Sequence, residues 1–378
     1  MSSPPFRADQ VGSLLRDPEL KSAHERSLQG QYDPAALRAL QDRCILDVIR
    51  MQESIGFHAI TDGEFRRSSF SGDFIEKLEG AKTPGHLAVP NTAGGDKERS
   101  PAPGKRFAPR AFVVSGKLRH SQPIEVDNFE FVKAHTTRTA KQAMPSPTML
   151  LRGGRSAVSI DAYPDLAEFH ADIAKVYIEE LRQLGEAGCS YVQMDDTNYA
   201  YLCDAQLREV FRQWGDDPND MPDRFAHLIN TIIAGRPAGM TVGIHLCRGN
   251  SSGQWAAEGA YEPIADKLLN QLDVDAYFLE YDDERSGGFE PLRFFPKRTG
   301  KRIVLGLVST KSTTMESKDA LRRRIDAAAK FVPLENLCLS PQCGFASTYR
   351  GNPLTHEIQR RKLERVVETA IDVWGTAK

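Results

Sequence analysis

The feature that most constrains this chain is an alternation between two kinds of segment. Short β-branched or aromatic runs recur along it: FHAITD (57–62), CSYVQMD (189–195), MTVGIHLC (240–247), DAYFLE (275–280), RIVLGLV (302–308) and NLCLSP (336–341). Between them lie polar breaks and longer amphipathic stretches. In LAEFHADIAKVYIEELRQLGEAG (166–188), Leu166, Phe169, Ile173, Val176, Tyr177, Leu181 and Leu184 recur at helical spacing, and Gly185 and Gly188 mark the end. SKDALRRRIDAAAKFV (317–332) reads the same way. Strands alternating with helices form βαβ units around a parallel sheet. Six such steps, with room for two more in 378 residues, predict an α/β fold: a closed (β/α)8 TIM barrel, with residues 1–378 as one domain. No G-x-G-x-x-G or G-x-x-x-x-G-K-[ST] follows a strand, which argues against an open nucleotide-binding sheet.

One segment breaks the rhythm. Residues 81–110 are rich in Pro, Gly and charge, and AFVVSGKLR and PIEVDNFEFVKA after them read as extended, partly alternating strands. We therefore expect an insertion over 81–140, a mobile loop plus a β-hairpin or small sheet, serving as a lid or as a plain surface excursion.

Charge narrows the range of partners. Lys plus Arg number 49 against 51 Asp plus Glu, a net charge of −2, so nothing electrostatic draws the chain to nucleic acid or an anionic membrane. No apolar run is long enough to span a bilayer, and MSSPPFRADQ lacks the apolar core of a signal peptide, so a cytoplasmic setting is expected. The six cysteines contain no C-x-x-C pair. Cys44, Cys189 and Cys338 sit among apolar residues and read as small buried hydrophobes, while Cys203 is uninformative.

The chemistry-bearing signal is His245-Leu246-Cys247 at the end of an expected strand. Residues i and i+2 of a strand share a face, so the imidazole and the thiol can aim at one point. In a barrel the C-terminal strand ends carry the chemistry. Glu280 in DAYFLEYDDERSGG and Cys343 in LSPQCGFAS fall at two further strand ends. Each has a bland reading: an H-x-C arises by chance, Glu280 can be a solvated loop acid, and Cys343 a buried thiol. Their joint placement favours a tetrahedral zinc site with nitrogen, sulfur and oxygen donors. Two thiolate ligands soften zinc as a Lewis acid, which suits capture of an incoming thiol better than activation of water. Alkyl transfer to sulfur is the natural reaction, with Glu280 able to yield its position to the thiol.

At this point the chain resembles the catalytic barrel of the cobalamin-independent methionine synthases. Besides the four candidate ligands, RADQVGSLLR (7–16), DGEFRR (62–67), QMDD (193–196), EYDDERSGGFEPLRF (280–294) and SPQCG (340–344) carry the likeness. It covers the chain except parts of 81–140 and is closest to short, single-barrel members, which include the epoxyalkane:coenzyme M transferases. The resemblance implies bound Zn2+, a thiol acceptor such as homocysteine, and an alkyl donor. It implies that the turn Val11-Gly12-Ser13 holds the acceptor carboxylate and that Glu64 and Asp195 hold its ammonium. From the residues alone, that turn is more often just a turn, and each carboxylate could equally pair with Arg66, Arg67 or a helix N-terminus.

The departures fall on the other substrate. Leu150, Leu151 and Arg152 stand where the family carries a pterin-stacking Trp, and Asp195-Asp196-Thr197-Asn198 replaces Asp-Glu-Pro-Ala. A pterin-binding Glu is missing, with Tyr199 and Tyr201 nearby. Lys311 falls where the family has a His acid; its default reading is a solvated loop lysine, and the alternative is a general acid or anion contact. The expectation is a zinc-dependent thiol alkyltransferase acting on homocysteine. Its alternatives are epoxide opening by a zinc-bound thiol and methyl transfer from a non-folate donor. Homo-oligomerisation is left open by the sequence.

Overall fold

The computed structural model describes residues 4–82, 106 and 112–378. Its strands are β1 (Ala59–Ile60), β2 (Glu79–Lys82), β3 (Val113–Arg119), β4 (Thr139–Ala140), β5 (Gln142–Pro145), β6 (Tyr191–Asp196), β7 (Thr241–Leu246), β8 (Ala276–Glu280), β9 (Arg302–Val308) and β10 (Leu337–Pro341). The continuous apolar runs of the sequence are explained by parallel strands covered on both faces. From Ile303 onward every residue of β9 is buried, as is every residue of β6, β8 and β10.

Six strands pair in the order β5-β6-β7-β8-β9-β10, all parallel. Ala8 extends the ring by a parallel bridge to Leu339, and β1 pairs with β4, which runs on into β5. Ala8, β1, β4–β5 and β6 to β10 are the eight staves of a TIM barrel, as the alternation predicts. Leu14 N–H donating to Gly63 O (3.0 Å) and Thr61 Oγ1 donating to Gly12 O (2.8 Å) tie the first stave to the second.

Local chemistry sets the helix ends. Asp33 accepts from Ala35 N and Ala36 N at the start of Pro34–Ile55, with Pro34 in the first turn, and Gly56 ends the helix at φ +112°. Asp165 caps the helix Leu166–Glu186, and Ser317 caps Lys318–Ala328. Both amphipathic helices read from the sequence are therefore present.

Inside the barrel, Phe6, Ala59, Tyr191, Ala276, Phe278, Val304 and Cys338 form a cluster of their own. The two-residue strand period sends Gln193 and Asp195 to the same side as Tyr191, and Glu280 to the same side as Phe278, so this lumen leads up to the strand ends. An ion pair is buried there: Lys141 Nζ lies 2.9 Å from Asp9 Oδ1, both side chains fully enclosed. Tyr191 Oη donates to Asp9 Oδ2 (2.8 Å), and Lys141 also donates to Gln10 O.

Two expectations about 81–140 meet the structure. AFVVSGKLR contains β3, which pairs antiparallel with β2 as a small sheet. PIEVDNFEFVKA is not extended: Val126–His135 is a helix. The carboxylate of Glu180 accepts Ile124 N–H (3.1 Å) and Glu125 N–H (2.7 Å), satisfying donors at the helix start from across the fold, and Phe129 and Val132 are buried at helical spacing. Tertiary capping thus overrides the β propensity of the Phe and Val residues. Thr139–Ala140, the last two residues of that span, are barrel strand. The Pro- and Gly-rich loop, except 81–82 and Arg106, lies outside the described residues. Among the described residues no helix is long and apolar enough to cross a membrane.

Candidate active site

Three strands deliver four donors to one point. His245 lies in β7 and Cys247 immediately beyond it, Glu280 ends β8, and Cys343 follows β10 by two residues. One donor atom from each falls within 4.8 Å of the others, all four residues are buried, and the two sulfurs lie 3.4 Å apart. The arrangement is electrostatically one-sided. Burial alone would lower the His245 pKa, but Cys343, Asp195 and Glu280 carry it up to about 9. Cys343 is held well below the usual thiol range, first by its hydrogen bond with Cys247.

The cluster fits a soft divalent cation. Glu280 Oε2 is buried without a hydrogen-bond partner, and the two His245 ring nitrogens find none beyond the Cys343 sulfur. Orphaned donor atoms in a negative field, two of them thiol sulfurs, match the ligand preference of zinc.

Beside this cluster stand two buried carboxylates, Glu64 and Asp195. Asp195 is the register partner of His245 across the β6–β7 ladder, and its Oδ1 accepts from Gln193 Nε2 (2.6 Å). Glu64 sits in the left-handed region (φ +61°), with its N–H on Asp62 Oδ1 (2.8 Å) and its carbonyl taken by Arg16. Burial pushes Glu64 up to about 8 against the pull of Arg67, with Asp195 and Asp62 adding to the rise. Burial likewise lifts Asp195 to about 6 against His245 and Gln193. Two enclosed carboxylates, one of which raises the other, form a place for a cation.

The turn Val11-Gly12-Ser13 lies against these carboxylates. Gln193 Nε2 donates to Val11 O (2.7 Å), and Phe345 N donates to Ser13 O (2.8 Å). Gly12 has φ +138°, and a Cβ there would lie 3.5 Å from Glu64 Oε1. The structure therefore brings together Val11, Gly12, Ser13, Glu64 and Asp195 next to the four candidate ligands.

Lys311 is not the solvated loop lysine that its sequence context suggests. Its side chain is 8% exposed, lies 3.9 Å from Glu280 Oε2 and donates to Gly249 O (3.0 Å). Of the two arginines offered as partners for Glu64, Arg66 pairs with Asp42 (2.6 Å). Arg67 lies 4.0 Å from Glu64 and 3.1 Å from Glu125. Sequence reasoning missed Gln193 and the buried support of Arg16 and Glu125; Gln193 was findable, because it stands two residues before Asp195 on the same strand face.

The opposite wall holds the departures. Arg152 Nε donates to Asn198 Oδ1 (2.9 Å), Arg152 also reaches Thr197 Oγ1, and its guanidinium lies 4.9 Å from the Tyr201 ring centre. Asn198 Nδ2 donates to Thr148 O (2.7 Å), and Thr148 Oγ1 donates to Asp196 Oδ2.

Comparison with known proteins agrees with this architecture. The profile described as "Cobalamin-independent synthase, Catalytic domain" matches residues 6–370. Uncharacterized protein YxjH of Bacillus subtilis (strain 168) is 40% identical over 376 residues, covering 98% of this chain and 95% of its own. A methionine synthase of Pyrococcus abyssi is 25% identical over 332 residues, covering 88% and 83% of the two chains. Among solved structures, a protein of Listeria monocytogenes provisionally assigned as a vitamin-B12 independent methionine synthase superposes with a TM-score of 0.78 at 32% identity, covering 99% of this chain and all of that one. A B12-independent methionine synthase from Shewanella sp. W3-18-1 shares the fold, with a TM-score of 0.71 at 19% identity over 97% of each chain. A profile match over nearly the whole length, on a barrel whose strand ends gather His245, Cys247, Glu280 and Cys343, places this chain in the family of cobalamin-independent methionine synthase catalytic domains.

Proposed function

We propose that this protein is a zinc-dependent thiol alkyltransferase that moves a methyl group onto homocysteine. The observation that carries the reading is the adjacency of two sites. A four-donor cluster with two sulfurs stands beside two buried carboxylates, Glu64 and Asp195, that lack a full counter-charge. His245, Cys247, Cys343 and Glu280 would hold the metal. Zinc bound there supplies a Lewis acid that keeps a thiol sulfur in its nucleophilic form near neutral pH.

The remaining work belongs to the chain. Glu64 and Asp195 take the ammonium of the acceptor amino acid, and that cation offsets the burial that raises both. The Val11-Gly12-Ser13 turn faces the acceptor carboxylate with its backbone and orients the sulfur toward the cluster. Enclosure excludes water, so a bound thiolate meets the donor carbon rather than a proton. An amino-acid thiol fits this acidic wall better than a sulfonate thiol, which requires cations; this weighs against the coenzyme M branch.

The donor wall supports an alkyl donor other than a folate. A pterin ring needs a flat stacking partner, and in the segment where the resemblance places an indole this chain has Leu150, Leu151 and Arg152, the last tied to Asn198 and Thr197. Calorimetric titration of the zinc-loaded protein with L-homocysteine in two buffers of different ionisation enthalpy tests the proposal. Binding with release of about one proton is expected. Binding of coenzyme M in place of homocysteine would transfer the reading to epoxide opening, and silence from every thiol would end the transferase reading.

A further inference from the structure

Glu280 has two chemically unequal oxygens. Oε1 accepts the Arg248 backbone N–H at 3.2 Å, whereas Oε2 is buried with no hydrogen-bond partner. Oε2 lies 3.9 Å from Lys311 Nζ, and a carboxylate oxygen of the same residue lies within 4.8 Å of the other candidate metal donors. That separation is about 1 Å longer than a charge-assisted hydrogen bond, close enough to attract and too long to be a finished contact. Lys311 is anchored by its bond to Gly249 O, two residues beyond Cys247, and also faces the buried Asp282. Opposite Glu280 on β9 stands Gly306, where a Cβ would press within 2.7 Å of Gln342 Cα, so no side chain from that position fills the space.

We propose that Lys311 is a positioning residue that receives Glu280 Oε2 when a thiol sulfur displaces Glu280 from the metal. The inference rests on the function proposed above. With a metal held by His245, Cys247 and Cys343, Glu280 would yield its place to the incoming thiol sulfur, and the thiol proton would leave to bulk solvent. The Glu280 carboxylate keeps its charge and stays enclosed. A buried carboxylate released without a cation to meet is strongly unfavourable, and Lys311 supplies that cation without leaving Gly249 O. Thiol entry is thereby coupled to a short swing of one side chain. If Lys311 served only to brace the loop after β9, it would act the same whether or not Glu280 were present.

The test uses the full chain loaded with zinc, and with cobalt(II) as a spectroscopic stand-in. Metal affinity is read by chelator competition, homocysteine affinity by calorimetry, and the metal's ligand set by cobalt absorption. Lys311→Met should keep metal affinity within about threefold of wild type or tighten it. It should weaken homocysteine binding by roughly 30-fold or more and leave the cobalt bands unmoved at homocysteine concentrations that shift them in wild type. Lys311→Arg should restore binding. On a Glu280→Ala background, Lys311→Met should have no further effect. Equal weakening with and without Glu280, or no weakening at all, overturns the inference while leaving the proposed function standing. Failure of the wild-type protein to bind homocysteine or any other thiol removes both together.

Discussion

Gly344, next to the candidate ligand Cys343, offers a way to move the acceptor turn without touching either a carboxylate or a metal donor. A methyl group at Gly344 would lie 1.9 Å from Ser13 Oγ, 3.1 Å from Ser13 Cβ and 3.3 Å from Ser13 O. The hydroxyl can rotate away. The Cβ and carbonyl cannot, because Phe345 N holds Ser13 O at 2.8 Å and Leu14 N holds Gly63 O at 3.0 Å. Gly344→Ala therefore has to displace the Val11-Gly12-Ser13 turn. Overpacking of this kind costs about 1–3 kcal/mol, and with two of the three contacts immovable we expect about 2 kcal/mol of lost stability. A similar loss in the bound state corresponds to roughly 30-fold weaker homocysteine binding. Zinc content should be unchanged, since the crowded residue, Ser13, is not a candidate metal donor. Adding Ser13→Gly removes the hydroxyl and the Cβ, leaves 3.3 Å to the carbonyl, and should recover most of the affinity. Urea unfolding, metal analysis and calorimetric titration of the two single variants and the double variant read all three quantities. Wild-type affinity in Gly344→Ala, or a loss that Ser13→Gly leaves untouched, would refute the reasoning.

Three further outcomes follow from the same geometry. Stripping zinc with a chelator should lower the unfolding midpoint, and free zinc at 100 to 1,000 times its Kd should restore about 3–4 kcal/mol; Cys247→Ser should abolish most of this response, and a midpoint indifferent to chelator would contradict the metal assignment. Glu64→Gln and Asp195→Asn should each weaken homocysteine binding by about 10- to 100-fold at unchanged zinc content, because each removes one wall of the cation pocket; undiminished turnover in both would sink the acceptor assignment. In the barrel lumen, Lys141→Met should cost about 3–5 kcal/mol by leaving Asp9 charged and enclosed, whereas Asp9→Asn/Lys141→Met should cost clearly less than the sum of the single changes; strict additivity in urea unfolding would show that the pair is not coupled.

The barrel and its candidate ligand cluster were legible because both rest on short-range regularities. The runs at 189–195, 240–247, 275–280, 302–308 and 336–341 became strands within two residues of their expected ends, since buried parallel strands leave an apolar signature. The period of two fixed which way His245 and Cys247 point, and the barrel topology then fixed where Glu280 and Cys343 arrive. What stayed hidden depends on distant partners. Val126–His135 is helical because Glu180, more than forty residues later, caps it. Lys311 turns inward because Gly249 offers a carbonyl and Glu280 a charge, neither of which is near it in sequence. The φ of Glu64 is held by Arg16 through a carbonyl, a contact that no local pattern announces.

The barrel draws its candidate metal donors and its departures from the family from different strands. The candidate donors come from β7, β8 and β10, whereas Arg152 follows β5 and Asn198 and Tyr201 follow β6. The side chains of Arg152, Thr148, Asp196, Thr197 and Asn198 are laced to one another, and Cys247 N donates to Asp196 O (2.7 Å) where β6 meets the candidate ligands. These two loops therefore form a cassette. Exchanged one residue at a time, they would leave a buried guanidinium or amide without its mate; exchanged together, they could accept a new electrophile while the thiol-handling half remains untouched. In such a scaffold, changes of donor arrive as paired loop replacements, and relatives with different donors should differ here in correlated blocks.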